Sequence, residues 1–254
     1  MMQLMDDLQY TFIKPDKELA DFVESFGVFY MGPGEDKEVV IIPDGKIDLF
    51  FVQSGQATFQ VVLTGLETLP KQRSIAPGTL FFDINFKPLG IEYILRTSIA
   101  DIVNSAKYLP DDFWNFDAAT LKDFNAFHKK ATQKIKELLP TEIDERKRRL
   151  FDLIYASNGE VSIRELSAKL NWSGRQMNRY FNSRFGMPLK AYCNILRFRV
   201  SLEHIAQGEI SPKLNFTDQN HFIKEIKKFS GVVPKELFKN KNDRFVLLSV
   251  LKQQ

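Results

Sequence analysis

Ser173-Gly174-Arg175-Gln176-Met177-Asn178-Arg179-Tyr180-Phe181-Asn182-Ser183-Arg184-Phe185-Gly186 is the stretch whose reading decides the fold of the C-terminal half. A serine followed three residues later by glutamine is a capping box, in which each side chain satisfies a backbone amide that the first helical turn leaves orphaned. Gly186 suits the left-handed residue that closes a helix. The spacing therefore predicts a helix from 174 to about 185. Met177, Phe181 and Phe185 recur at every fourth position, with Tyr180 beside them, and form a face that must be buried. Arg175, Asn178 and Arg179 then point away from the core, with Gln176 at the margin.

Eleven residues upstream stands a second capping box, Ser162-Ile163-Arg164-Glu165. Its helix runs to Leu170, and Asn171-Trp172-Ser173 connects it to the next. Two short capped helices joined this tightly meet at a steep angle, the geometry of a helix-turn-helix. In that arrangement the second helix lies in the major groove, its early residues facing base edges. Arginine pairs bidentately with guanine and asparagine with adenine, so the outward face suits base readout. A merely solvated helix face would carry the same residue types, and the neighbouring patterns decide between the two readings.

Residues 144–157 read as a helix with Leu150, Phe151, Leu153 and Ile154 as its apolar set, closed by Asn158-Gly159. Gly186-Met187-Pro188 restarts the chain into a long helix from Leu189 to about Gln207, with Leu189, Tyr192, Cys193, Leu196 and Val200 buried. Arg197 and Arg199 are placed there to reach phosphates or acidic neighbours. Phe216-Thr217-Asp218 opens a further helix, on which Gln219, Asn220, His221, Lys224, Lys227 and Lys228 are polar while Phe222, Ile226 and Phe229 form the core stripe. Gly231 ends it, and Pro234 starts a short final helix with Leu237 and Phe238. The capped, basic helix thus occurs twice.

The first half reads differently. Val39-Val40-Ile41-Ile42 and the run Ile47 to Val52 flank Pro43-Asp44-Gly45, which predicts a hairpin. Strand-like runs follow at 57–63 and 79–84, separated by turn signals such as Ala76-Pro77-Gly78. Short helices are expected over 91–95 and 98–104. From 117 to 139, Leu121, Phe124, His128, Ala131, Ile135 and Leu138 follow a spacing of three or four, which predicts one amphipathic helix that packs on its own domain or pairs with a second copy. The expected fold class is α+β. A β-rich sandwich or barrel-like N-terminal domain (1–116) leads through an amphipathic linker helix (117–143) into an all-α helix-turn-helix domain (144–254).

Charge divides along the same line. The chain of 254 residues carries a net charge of +3, yet residues 144–254 hold 21 Lys and Arg against 11 Asp and Glu, leaving 14 against 21 for residues 1–143. A basic half joined to an acidic one implies that one half meets a polyanion. The single Cys193 excludes an internal disulfide, and its place on an apolar stripe makes it core rather than nucleophile. His128, His204 and His221 lie far apart, so no metal or other cofactor is expected. No nucleophile motif or phosphate loop appears, and no enzyme is expected. The acidic start and the absence of an apolar run of ~18 residues point to a soluble, cytoplasmic protein without a membrane partner.

The segment from Ser173 to Phe181, followed by Phe185-Gly186, Pro188, Tyr192 and Arg197, resembles the first half of an AraC/XylS-type DNA-binding domain. Phe216-Thr217-Asp218-Gln219-Asn220-His221-Phe222 with Phe229-Ser230-Gly231-Val232-Val233-Pro234 resembles the signature of its second half. Ile42 to Leu49 and Phe86-Lys87-Pro88 are similar to the N-terminal domain of some of these regulators. The resemblance implies a sequence-specific transcription regulator acting on double-stranded DNA through two helix-turn-helix units bridged by the long helix. Arg175, Gln176, Asn178 and Arg179 would serve the first unit, with Arg197 on the bridge, and Gln219, Asn220, His221 and Lys224 the second. The N-terminal domain would sense a small-molecule effector or form a homodimer. One departure stands out: the seven residues from Glu209 to Asn215 include Pro212, too few for the support helix of the second unit, so that unit is expected to be pared down. Asn215 stands where the family has glycine and can still take the left-handed conformation; the shortened second unit leaves as the alternative a dimeric interaction or small-molecule-binding protein with a degenerate DNA-binding domain.

Overall fold

The computed structural model describes residues 3–5, 8–55, 59–213, 216 and 218–252. The chain divides into two compact units, one of residues 1–37, 46–65 and 74–143, the other of residues 38–45, 66–73 and 144–254. The fold class is α+β, with a β-rich N-terminal unit and a helical C-terminal one.

The strands are β1 (Gln3–Met5), β2 (Leu8–Ile13), β3 (Val23–Met31), β4 (Lys37–Ile41), β5 (Ile47–Ser54), β6 (Gln60–Thr64), β7 (Lys71–Ile75), β8 (Thr79–Phe86) and β9 (Ala106–Leu109). Among the described residues, one antiparallel sheet takes the order β1-β2-β3-β8-β5-β6-β9, and β4 pairs with β7 in a separate ribbon. Alternation along β5 and β8 buries Ile47, Leu49 and Phe51 together with Phe82, Ile84 and Phe86. The helix α1 (Pro88–Tyr93) follows β8, and α2 (Phe124–Glu137) starts on an N-cap at Asp123, whose side chain accepts from Asn125 N. Phe127 on α2 meets Phe82 at 4.9 Å and Phe51 at 5.4 Å between ring centroids, and Phe116 closes on Phe51 at 4.6 Å.

Several expectations change here. The segment Pro43-Asp44-Gly45 does not close a hairpin, because β4 pairs with β7 while β5 runs between β6 and β8. β5 and β8 match over eight residue pairs, Ile47 with Phe86 through Ser54 with Thr79, a longer and more apolar register than β4 could offer. Over 117–139 the helix begins only at Phe124, preceded by a 3-10 turn at Thr120–Lys122. Its buried stripe is Phe127, Ala131 and Ile135, so His128 is half-buried against the Phe26 ring rather than central. The helix expected over 91–95 is α1, one turn earlier, and 98–104 holds only a 3-10 turn at Ala100–Ile102. Part of the strand expected over 57–63 lies outside the described residues.

Glu24 on β3 gathers three lysines: Lys46 at 3.0 Å, Lys14 at 3.1 Å and Lys87 at 3.6 Å. Burial pushes its carboxyl up, but the Lys46 and Lys14 ammonium groups outweigh burial and hold it at about 2 against an ordinary 4.5. A depressed carboxyl stabilises the fold above its unfolded value and loses that contribution on protonation. Thermal unfolding should therefore show stability falling as pH drops from about 4.5 towards about 2, with a shallower fall in Glu24→Gln. Equal slopes in the two proteins would assign the acid sensitivity to other carboxylates.

The C-terminal unit contains α3 (Glu145–Ala156), α4 (Ile163–Leu170), α5 (Gly174–Phe185), α6 (Leu189–Ala206), α7 (Gln219–Ser230), α8 (Pro234–Lys239) and α9 (Val246–Lys252). The last of these has no counterpart in the sequence reading. The long α6 is the axis of this unit, with Leu189, Tyr192, Cys193, Ile195, Leu196, Phe198, Leu202 and Ile205 all buried. Residues 38–45 pack on it: Gly45, at φ +78°, sits where a Cβ would come within 2.9 Å of Leu196 Cδ2, and its carbonyl accepts from the Tyr192 hydroxyl at 3.2 Å. Val40 N donates to the Arg244 carbonyl at 2.6 Å.

Candidate nucleic-acid interface

The helix pair α4–α5 is built from its caps. Ser162 Oγ accepts from Glu165 N at 3.1 Å while Glu165 Oε2 accepts from Ser162 N at 2.9 Å. Ser173 and Gln176 repeat the exchange, with Ser173 N donating to Gln176 Oε1 at 3.1 Å and Gln176 N to Ser173 Oγ at 3.3 Å. Between them Asn171 takes the left-handed conformation (φ 50°) that ends α4 and turns the chain within three residues. Gly186 (φ 70°) ends α5 the same way. Losing a serine N-cap costs about 0.5–2 kcal/mol. Ser173→Ala is expected to lower stability to denaturant by that amount while leaving the contacts of the second half of α5 intact.

The inner face of α5 is held rigidly. Met177, Phe181 and Phe185 are fully buried. The Phe181 ring lies 5.7 Å from Phe151, 5.2 Å from Phe185 and 5.5 Å from Tyr192. Tyr192 in turn bonds the Tyr155 hydroxyl at 3.1 Å. Gly159, at φ +75°, approaches α6 so closely that a Cβ would lie 2.2 Å from the Cys193 carbonyl oxygen. Cys193 is buried, and burial pushes its thiol up to about 11, which disfavours the reactive thiolate.

On the outer face Arg175, Gln176 and Arg179 are exposed. Arg175 and Arg179 sit one turn apart, as the periodicity predicts. Gln176 has its carbonyl oxygen committed to the capping box. Asn178 stands apart from these: it is half-buried, and its Oδ1 accepts from Leu189 N at 3.1 Å, tying α5 to the first turn of α6. A bidentate contact with adenine needs that same oxygen.

The second candidate group is more dispersed. Gln219, Asn220 and Lys224 are exposed on α7, whose N-cap Asp218 accepts from His221 N at 2.8 Å. The half-buried His221 ring lies 5.6 Å from Phe216. Arg197 is half-buried on α6, bonded to Asn194 Oδ1 at 3.1 Å with its guanidinium 5.3 Å from the Phe216 ring centre. Among the described residues no helix lies between α6 and α7, where the second unit would need its support helix. Asn215 itself lies outside the described residues.

Two further cations adjoin α5 that the apolar periodicity passed over. Arg146 and Lys147 open α3, with the Arg146 guanidinium 5.5 Å from the Trp172 ring centre and Lys147 Nζ 5.1 Å from that of Tyr180. The signal available in the sequence was the run Arg146-Lys147-Arg148-Arg149. Among the described residues no cluster of three His, Cys, Asp or Glu side chains could hold a metal ion. None of the described helices is long and apolar enough to cross a membrane.

Residues 166–240 match the family model of a helix-turn-helix domain, and residues 11–107 match that of a domain of unknown function, DUF6597. No curated protein matches the chain. Among solved structures the chain is similar to ToxT from Vibrio cholerae, at 13% identity and TM-score 0.47 over 84% of this chain and 97% of that one. A ToxT structure bound to (E)-4-(8-methylnaphthalen-1-yl)but-3-enoic acid gives 13% identity and TM-score 0.45 over 87% and 97% of the two chains.

Proposed function

We propose that this chain is a DNA-binding transcription regulator of the AraC/XylS type whose selectivity resides in the first helix-turn-helix unit, with α5 lying in the major groove. The observation that carries this reading is the outer face of α5. Arg175 and Arg179 project from a helix capped at both ends and locked from behind by buried aromatic rings. A rigid, doubly cationic face is what bidentate recognition of guanine requires. Asn178 acts within this arrangement as a strut to α6 rather than as a reader of adenine. The chain acts by binding and not by catalysis, and the N-terminal unit is its sensory or dimer-forming part.

The test is binding-site selection with the full-length protein, followed by titration of the selected duplex and a scrambled one across salt concentrations. Selective, salt-sensitive binding supports the reading. Indifference to sequence at every salt concentration would overturn it.

With no helix among the described residues between α6 and α7, α7 has less to hold it at a fixed angle in a groove. In this reading it adds affinity more than selectivity, and the first unit dominates. Footprinting with one chain per site should show strong protection of one major-groove segment and weak protection of the next. Equal protection of both would contradict the subordinate role of α7.

A further inference from the structure

We infer that the first turn of α3 is a phosphate grip, in which Lys147, with Arg146 beside it, holds the DNA backbone along the Tyr180 flank of α5. This rests on the reading that α5 enters the major groove.

The apolar stripe of α3 runs through Leu150, Phe151 and Ile154. Continued one turn towards the N-terminus, the same stripe reaches Arg146 and Lys147, where helical periodicity would place apolar residues. Instead, two cations lie over aromatic rings. Trp172 and Tyr180 are themselves in contact, 5.6 Å between centroids, so Arg146, Trp172, Tyr180 and Lys147 form one continuous strip beside α5. The guanidinium of Arg146 is fixed there by Asp144, which accepts from Nε at 3.3 Å and Nη2 at 2.9 Å.

Stability alone gives a poor account of this arrangement. The N-terminus of a helix carries partial positive charge, and cations in its first turns oppose that dipole. The four consecutive cations 146–149 are offset locally by Asp144 and Glu145 and, for Arg149, by a bond from Nη2 to the Lys169 carbonyl at 3.3 Å at the end of α4. Lys147 lies over a ring face and within the field of Asp144, yet it remains a cation in the first turn, the end of the helix dipole that favours a polyanion.

Position on the helix wheel identifies the polyanion. The outer face of α5 is centred on Arg179, with Gln176 leading round to Tyr180 on one flank and Asn178 on the other. A helix in the major groove has a sugar-phosphate strand along each flank. The Tyr180 flank therefore meets one strand, and Lys147 and Arg146 already stand beside it. On the opposite flank Asn178 holds the start of α6, where Lys190 is exposed.

Phosphate contacts and base contacts differ in how they respond to salt and to sequence. Each phosphate neutralised contributes about 0.9 to the slope of log K against log salt, whatever the sequence. Fluorescence anisotropy with the selected duplex and a scrambled one is therefore compared for the unaltered chain, Lys147→Met, Lys147→Arg and the double variant Arg146→Gln/Lys147→Met. Methionine keeps an apolar stem over Tyr180, which protects the fold, and unchanged thermal unfolding verifies this. Lys147→Met should reduce the slope by about one and weaken both duplexes by the same factor, the double variant by up to about two, while Lys147→Arg keeps the slope. A slope unchanged in folded Lys147→Met, or a loss confined to the selected duplex, overturns the phosphate grip while leaving selective binding by α5 standing. Absence of selective binding in the unaltered chain overturns the proposed function itself, and the grip with it.

Discussion

Replacing Arg175 and Arg179 together by alanine is expected, on the proposed function, to remove selectivity for the selected duplex while leaving the protein folded. Both side chains are exposed, and surface substitutions of this kind change stability by no more than about 0.5 kcal/mol. Each bidentate arginine–guanine pair contributes about 1–3 kcal/mol of discrimination. Two such pairs on adjacent turns would together contribute roughly 30-fold to 20,000-fold in affinity for the selected duplex. On a scrambled duplex the same double variant loses only the long-range attraction of two charges, so its affinity should fall far less. Titrating both duplexes at one salt concentration separates the outcomes. A parallel fall on the two would make Arg175 and Arg179 backbone contacts and would move base recognition elsewhere on the protein.

Phe181→Ala should act through the opposite face of the same helix. Phe181 is fully buried and its ring lies against Phe151, Tyr180, Phe185 and Tyr192, so truncation leaves a cavity that rigid aromatic neighbours can fill only in part. Phe→Ala at such sites costs about 3–5 kcal/mol, a large share of the 5–15 kcal/mol that typically holds a domain together. Trp172 is one of two tryptophans in the chain and reports on this unit, so a Trp114→Phe background isolates its signal. Denaturant titration of Trp172 fluorescence should show the midpoint falling sharply, and DNA binding at elevated temperature should fail with it. A loss below about 1 kcal/mol would mean that the core around α5 repacks freely, against the rigidity on which base reading depends.

Much of the C-terminal unit was legible because its signals are local. Both capping boxes form with the partners that sequence spacing predicts, and Asp144, Gly186 and Gly231 stand at the helix ends they mark. The buried stripe of α5 follows from period alone. The position of Asn178 was less legible, since a residue 100° round the helix from Met177 can face solvent or the start of the next helix. Only the path of Met187-Pro188-Leu189 decides that. The N-terminal half yielded its strand character but not its pairing. Which strand lies beside which depends on contacts between distant residues, as when β3 and β5 meet across β8. The ribbon of β4 and β7 was invisible for a further reason: the apolar residues Val39 and Val40 look like one arm of a hairpin, and nothing nearby says that their partner begins at Lys71.

The junction at Gly45 and Lys46 joins two anchors that differ in kind. Gly45 is fastened through its carbonyl to Tyr192 on the axis of the helical unit, while its neighbour Lys46 is buried against Glu24 in the sheet of the other. A single peptide bond therefore separates a strand that is part of the β-rich core from a residue that lines the aromatic core behind α5. Cutting the chain at the charge step near residue 144 would sever the helices from strands they rely on for shielding. An isolated C-terminal fragment would lose the Gly45 cover over Leu196 and one partner of the Tyr192 hydroxyl, so a self-sufficient helical unit is expected to need residues 38–45 as well as its helices.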